Sequence, residues 1–388
     1  MKLLNTIKQP LNQCIKKNEK GLSLGIILLA LYIILKPFYF FPSGGFQLAD
    51  IFLIILFFSI LFGMPGLIIN NYDIMSYMLA LAIVITFVSG VWALILSDTK
   101  LLMPILFFVF NLFLFLSVSH ILTTNKNSAK YILYAVIAAV FLQLLLLPIS
   151  MTGFSRQILF FNNPNQLGYW SILSASLFLY LVQKVEISKT LYILFTGGVL
   201  ILAGLSLSKA AIVSLFLLYF LYYGNRPIVG IMFAAAIVLV FIFASELELV
   251  SNVIDRLNAI GTGNDDNAEA RGYDRIWNFP EYLWFGNGEG AIKRFGAIHE
   301  LHSTLGMLFF SYGPFGIFVF IAIFIRLLFT RGIEAVLPFI PLFAYSLTHQ
   351  GFRFSLFWLV LAVVSTKYLG NNIINNNTIN NEMKNKTI

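Results

Sequence analysis

From Ile74 to Ser97, and again from Leu101 to Asn125, the chain runs without a single Asp, Glu, Lys or Arg. About 20 apolar residues suffice for a helix to cross a bilayer, and each of these runs exceeds that length. In hydrocarbon a backbone must satisfy its own hydrogen bonds, so such runs have to be helical. The same texture extends along the chain, which is 59% hydrophobic and 11% charged with a mean hydropathy of +0.86, where soluble domains carry about 25% charged residues. The expected fold class is therefore all-α: a polytopic membrane helical protein with about 12 transmembrane helices and one long outer loop. At 388 residues the chain has room for ten to twelve spans, but not for a large soluble domain as well.

Hydropathy places the spans at 22–36, 49–69, 74–97, 101–122, 131–150, 167–183, 190–206, 210–223, 227–244, 303–326, 333–347 and 354–369. No small-residue cleavage site follows the first apolar run, so 22–36 reads as a retained span rather than a signal peptide. Residues 1–21 form a basic N-terminal segment, and residues 370–388 an Asn-rich tail whose composition predicts disorder. Between them lie a membrane domain of about nine spans at 22–244, with outer motif loops at 151–168 and 206–210, a large outer loop at 245–302, and about three further spans at 303–369. Cys14 is the one cysteine and cannot form an internal disulfide.

Lysine and arginine in short loops favour the cytoplasmic side. With Lys2, Lys8, Lys16, Lys17 and Lys20 inside, the same side collects Lys126, Lys130, Lys184, Lys189, Arg226, Arg326, Arg331, Lys367, Lys384 and Lys386, so both termini are expected in the cytoplasm. The rule then leaves Lys36, Lys100, Arg156, Lys209, Arg256, Arg271, Arg275, Lys293, Arg294 and Arg353 on the disfavoured outer side. Each either snorkels at a helix end or holds an anion. The outer segment 245–300 carries Glu246, Glu248, Asp255, Asp265, Asp266, Glu269, Asp274, Glu281, Glu289 and Glu300 among the chain's 17 acidic residues. The net charge of +8 is mostly a topology signal and does not imply a nucleic-acid partner.

Four constellations carry polar chemistry. Arg271 and Arg275, placed on a helix, would fall at i and i+4 and point the same way, and two guanidinium forks suit a diphosphate. Pairing with Asp274, Glu269 or Asp265 is the alternative. His299-Glu300-Leu301-His302 lies just before an apolar run, so His302 sits at the mouth of a span, where a histidine can accept a proton near neutral pH. Either histidine is otherwise a surface or capping residue, and with no third histidine nearby no metal site is assigned. In RQILFFNNPNQLGYW, Asn163 reads as an N-cap with Pro164 at the first helical position. Arg156 is in reach of that helix start, and Asn165 and Gln166 can bind sugar hydroxyls; an ordinary capped helix is the plain alternative. Ser206-Leu207-Ser208-Lys209 is a tight outer hairpin that puts Lys209 at a helix start, against the dipole, so it binds a negative group or snorkels.

Together, FFNNPNQLGYW, SLSKAA, ARGYDRIW with GNGEG, and HELHSTLGMLFFSYGPFGI resemble the O-antigen ligase and polymerase superfamily of bacterial multi-pass membrane proteins, especially its Wzy-type polysaccharide polymerase branch. The resemblance covers about 156–317. It implies a cell inner membrane enzyme with the outer loops in the periplasm. It also implies a polyprenyl-diphosphate-linked oligosaccharide as donor and as acceptor, no cofactor or metal, and a chain-length regulator and a flippase as candidate partners. Matched position by position, Arg271 and Arg275 would grip the donor diphosphate with support from Lys209 and Arg156. His302 would orient or deprotonate the acceptor hydroxyl, with Glu289 and Glu300 as rivals. Ligases usually have His-Asn where this chain has His302-Ser303, which favours polymerase over transfer to lipid A core.

The implied reaction is metal-independent: an acceptor hydroxyl attacks the anomeric carbon of the donor glycan and expels polyprenyl diphosphate. Trp277, Tyr273, Tyr282 and Trp284 are expected either to stack on sugars or to form an interfacial aromatic belt. A reading from another class is a flippase for lipid-linked glycans, which calls for internal repeats and polar residues at the bilayer midplane. The spans here are nearly free of charge.

Overall fold

The computed structural model describes residues 23–42, 45–63, 71–151, 156–224, 271–296 and 300–367. The expected span 227–244, the stretch 245–270, Cys14, His299 and both terminal segments lie outside these. Among the described residues there are helices and loops and no strand. The main helices are α1 (Leu24–Leu35), α2 (Leu48–Phe62), α3 (Tyr72–Leu96), α4 (Met103–Thr124), α5 (Ser128–Leu145), α6 (Pro164–Leu181), α7 (Lys189–Leu205), α8 (Lys209–Tyr223), α9 (Thr304–Arg331), α10 (Phe339–Ser346) and α11 (Ser355–Ser365).

Four stretches are long and apolar enough to cross a membrane on their own: α3, α4 with the 3-10 turn before it, α5 and α9. Others fall short of the twenty residues expected of a span, and their stops are local. Pro37 follows the last turn of α1, and Gly63 leaves helical geometry after α2. The helix starts follow capping rules: Ser23, Ser188 and Ser303 accept from backbone N–H groups of their first turns, and Asn163 Oδ1 accepts from Gln166 N at 2.9 Å with Pro164 at the first position.

Two helices form the centre. Every residue of α6 from Leu167 onward and every residue of α11 is buried. This explains how α6 carries Ser171, Ser174 and Ser176 in a membrane domain: it touches protein all round rather than lipid. The outer ring is apolar instead, with Ile83, Leu94, Phe318 and Phe329 turned outward, the kind of surface a bilayer covers. Between helices that share an apolar solvent, association relies on close packing and a few buried hydrogen bonds. Tyr32 Oη donates to Ser355 Oγ at 2.7 Å, and Asn71 Nδ2 donates to Ser365 Oγ at 2.8 Å and Ser119 Oγ at 3.3 Å.

The helix termini gather at two ends of the bundle. One holds Asp73 with Arg326, Lys184 with Glu334, and Asn71 with Ser365. The other holds Lys36, Arg156, Lys209, Arg271, Arg275, Arg294 and Arg353, at helix ends and in the loops that cross-link them. In a Cys14→Ser background, cysteines placed at the exposed positions Trp284 and Lys126 should react with an impermeant maleimide from opposite faces of intact membranes. Labelling of both from one face would overturn the two-ended arrangement.

Candidate functional site

Helix α9 is broken at Gly313, whose φ of 64° and ψ of −167° are not helical, and Pro314 follows. A proline N cannot donate to the carbonyl four residues back, so the break releases the Phe310 and Ser311 carbonyls. Backbone of the Gly286–Gly290 turn takes them up: Asn287 N donates to Phe310 O at 3.1 Å, Gly288 N to Ser311 O at 2.9 Å, and Asn287 Nδ2 to Phe310 O at 2.9 Å. Trp92 Nε1 holds Gly286 O at 2.8 Å from α3. Arg294 donates to Asn287 and lies over the rings of Trp92, Tyr282 and Phe295. Burial pushes its guanidinium below the ordinary arginine range, the nearby Tyr282 opposing this. Arg294 thus belongs to the support of the loop.

A second device is the connection 347–354 between α10 and α11, on which every motif of the sequence converges. Arg271 Nη1 donates to Thr348 O and Tyr273 Oη to Leu347 O, which caps the end of α10. Gly351 N donates to Thr304 Oγ1 at 2.8 Å, tying the connection to the start of α9. Tyr345 Oη donates to Asn165 O at 2.7 Å, the Tyr345 ring stacks on Tyr169 at 4.7 Å, and His349 stacks on Tyr345 at 4.6 Å. Arg156 reaches the same place by donating to Asn165 Oδ1 and, at 3.0 Å, to Ser206 O of the 206–209 hairpin. Arg156 and Arg271, distant in sequence, thus come to the two sides of the same element: Arg156 through Asn165, whose O accepts from Tyr345 Oη, and Arg271 through Thr348 O just beyond the end of α10. His302 joins through its backbone N, which donates to Arg271 O at 2.9 Å.

The third element is an ion cluster beneath the glycine turn. Glu289, 4% exposed, accepts from Tyr312 Oη at 2.9 Å, Gln350 Nε2 at 3.1 Å and Arg353 Nε at 2.6 Å. Arg353 also reaches Glu300 Oε2 at 3.1 Å. Burial alone would lower the Arg353 pKa, but Glu289 and Glu300 outweigh it and hold the guanidinium above its ordinary value. Arg275 is buried at the edge of this cluster, folded back against Gly272, where a Cβ would stand 2.9 Å from its Nη2. Burial lowers its pKa, opposed by Asp274 and Glu300. A narrow cleft is lined by Arg275, Asn287, Glu289, Glu300, Gln350, Phe295 and Phe310.

This geometry corrects one expectation. Arg271 and Arg275 do not share a helix face: the short helix here is Asp274–Asn278, and Arg271 sits in the turn before it. Gly272, at φ 75°, turns the chain between them. Arg271 therefore goes to the Tyr345 cluster, and Arg275 to the carboxylates. Lys209 begins α8, Asn163 caps α6, and Asn162 N donates to Gln166 Oε1 at 3.1 Å, so Gln166 is tied into the cap. Lys36, one of the basic residues expected on the outer side, pairs with Asp50. Of the four aromatics, Tyr273 and Tyr282 are engaged internally, while Trp277 and Trp284 are exposed.

Sequence reasoning left Tyr345, Thr348, Gln350 and Tyr312 out, and placed Arg353 only among the misplaced cations. A polar run, Ser346 to Gly351, between two apolar helices was the available signal. No group of three or more His, Cys, Asp and Glu residues suited to a metal ion occurs among the described residues. In comparisons with known proteins, no protein-family model matches the chain and no curated protein sequence matches it.

Proposed function

We propose that this chain is a membrane glycosyltransferase that joins polyprenyl-diphosphate-linked oligosaccharide repeat units at the periplasmic face of the bacterial inner membrane, an O-antigen or capsular polysaccharide polymerase. The observation that carries the reading is the convergence of Arg156, hydrogen-bonded to Asn165, and Arg271, hydrogen-bonded to Thr348, on the C-terminal end of α10, at the end of the bundle that also holds His302. Two guanidiniums on separate elements of a membrane protein's end suit a diphosphate at a lipid headgroup. The motif resemblance supports the same assignment.

In this reading the donor diphosphate lies between Arg156 and Arg271, with Lys209 at the adjoining helix start. An acceptor hydroxyl oxygen attacks the anomeric carbon, the bond from that carbon to the phosphate oxygen breaks, and polyprenyl diphosphate departs with the electron pair. The hydroxyl proton passes to His302. Both glycans are tethered to the same membrane, so positioning supplies much of the barrier reduction, and the arginines stabilise the charge that grows on the leaving group.

The test is to express the chain in a strain lacking its own polymerase and to resolve lipid-linked glycans by gel. Wild type should give a ladder. Arg271→Ala, Arg156→Ala and His302→Ala, at wild-type membrane levels, should collapse it toward one repeat unit, reflecting rate losses of about 10²–10³-fold for each lost transition-state contact. Undiminished ladders from all three would sink the site. Transfer of single units to lipid A core by the wild type would replace polymerase by ligase.

A further inference from the structure

We propose that the connection between α1 and α2, described at 36–42 and 45–47, is a membrane anchor that sets its aromatic rings into the headgroup–acyl boundary at the end of the bundle holding Arg156. From Pro37 to Ala49 the chain carries no charged residue, and Phe40, Phe41 and Phe46 are 65%, 47% and 50% exposed. Their neighbours turn inward: Phe38 packs on Phe160 and Tyr39 on Phe161, with ring centroids 4.9 Å and 5.4 Å apart. Water thins out toward the acyl chains, so a loop seated there has to satisfy its backbone internally. One buried side chain does most of this. Gln47, 1% exposed, accepts through Oε1 from Phe40 N at 3.0 Å and Phe41 N at 3.2 Å, and its Nε2 donates to Phe41 O at 3.0 Å with Pro42 O and Gly45 O at 3.3 and 3.4 Å. Tyr39 N donates to Phe160 O at 3.0 Å, which ties the loop to the 156–163 segment. Asp50 Oδ2 accepts from Gln47 N at 2.9 Å and Lys36 pairs with Asp50, so the charges of this region lie beneath the loop and the rings stand above it.

Continuity with α2 identifies what the rings meet. Leu48, Ile51, Ile55, Phe58 and Phe62 are exposed at helical spacing, so one apolar face runs from the loop along the helix. Helices that pack on one another in a bilayer bring small residues to the contact, and these five positions hold none. The face therefore suits acyl chains rather than a second copy of the chain, and the loop prolongs it. The prolongation has a use: α1 and α2, of 12 and 15 residues, rise only about 18 and 22 Å against about 30 Å of hydrocarbon, and the rings add apolar height where the helices stop. Nothing in this inference depends on the polymerase reading.

The test uses the full chain with Cys14→Ser in phosphatidylcholine nanodiscs, spin-labelled at single cysteines introduced by Phe40→Cys, Phe46→Cys, Ile55→Cys or Lys126→Cys. Molecular oxygen concentrates among acyl chains and a nickel chelate stays in water, so the ratio of their effects on nitroxide relaxation reports depth. At Phe40 and Phe46 oxygen should outweigh the chelate, giving ratios between that of Ile55 on the lipid face and that of Lys126 in water. Ratios equal to that of Lys126 at both positions would overturn the proposal. Low access to both reagents would overturn it as well, by showing that protein covers the loop. Gln47→Leu keeps the bulk and removes the amide, so it should abolish the oxygen excess at Phe40 while leaving Ile55 unchanged. An excess at Phe40 that survives Gln47→Leu would overturn the internally satisfied loop as the anchor.

Discussion

Gly286→Ala should destabilise the protein far more than Gly296→Ala, although both glycines have left-handed φ values, 86° and 66°. The backbone penalty for a side chain in this region, about 1–2 kcal/mol, is common to the two. The surroundings differ. A Cβ at Gly286 would stand 2.4 Å from Ser311 O and 2.7 Å from Tyr312 Cα, both backbone atoms of the broken helix, whereas at Gly296 it would meet nothing within 4 Å. Relief would require withdrawing the turn from α9, and with it the hydrogen bonds of Asn287 and Gly288 that satisfy the Phe310 and Ser311 carbonyls. Overpacking costs about 1–3 kcal/mol and stranding buried carbonyls about 1–3 kcal/mol more. Thermal unfolding of the purified variants, followed by size-exclusion chromatography, should show Gly286→Ala losing its monodisperse peak well below the temperature at which Gly296→Ala does. Equal losses would mean that the turn is not seated on the break.

That contact also shows where sequence reading stops. Both halves, GNGEG and SYGPFG, stood in the sequence, but the expected span 303–326 ran straight through Gly313 and Pro314. Their complementarity was not visible, because the carbonyls freed by Pro314 are satisfied from a segment that only tertiary folding brings near. The broad architecture was legible for the opposite reason: apolar runs such as Ile74–Ser97 specify helices through solvent physics alone, and the N-cap at Asn163 is a local signal. Helix lengths were less legible. The run at 333–347 is divided between a short helix, Ile333–Val336, and α10, and the run at 354–369 continues past the end of α11 at Ser365. Arg271 and Arg275 failed as a pair because their spacing implied a helix that the turn at Gly272 prevents.

Arg353→Ala should be the most damaging change in the ion cluster, costing about 3–5 kcal/mol, because it leaves Glu289 as a buried charge without its cation. Tyr312 and Gln350 would still donate to Glu289, but two neutral hydrogen bonds do not replace a guanidinium at 2.5 Å. Glu300→Gln should cost under about 1 kcal/mol, since that carboxylate is 41% exposed and the pair is weakened by solvent. Glu289→Gln should fall between them: Arg353 keeps Glu300, and its side chain is 27% exposed. The decisive variant is the double one. If the loss in Arg353→Ala comes from the stranded carboxylate, adding Glu289→Gln must recover much of it, because the buried charge is then gone and an amide can still bond to Tyr312 and Gln350. If Arg353 instead acts mainly by packing on Phe107, whose ring lies 5.8 Å away, the double variant must be no more stable than Arg353→Ala alone. Unfolding midpoints of the four proteins separate these outcomes without any reference to activity.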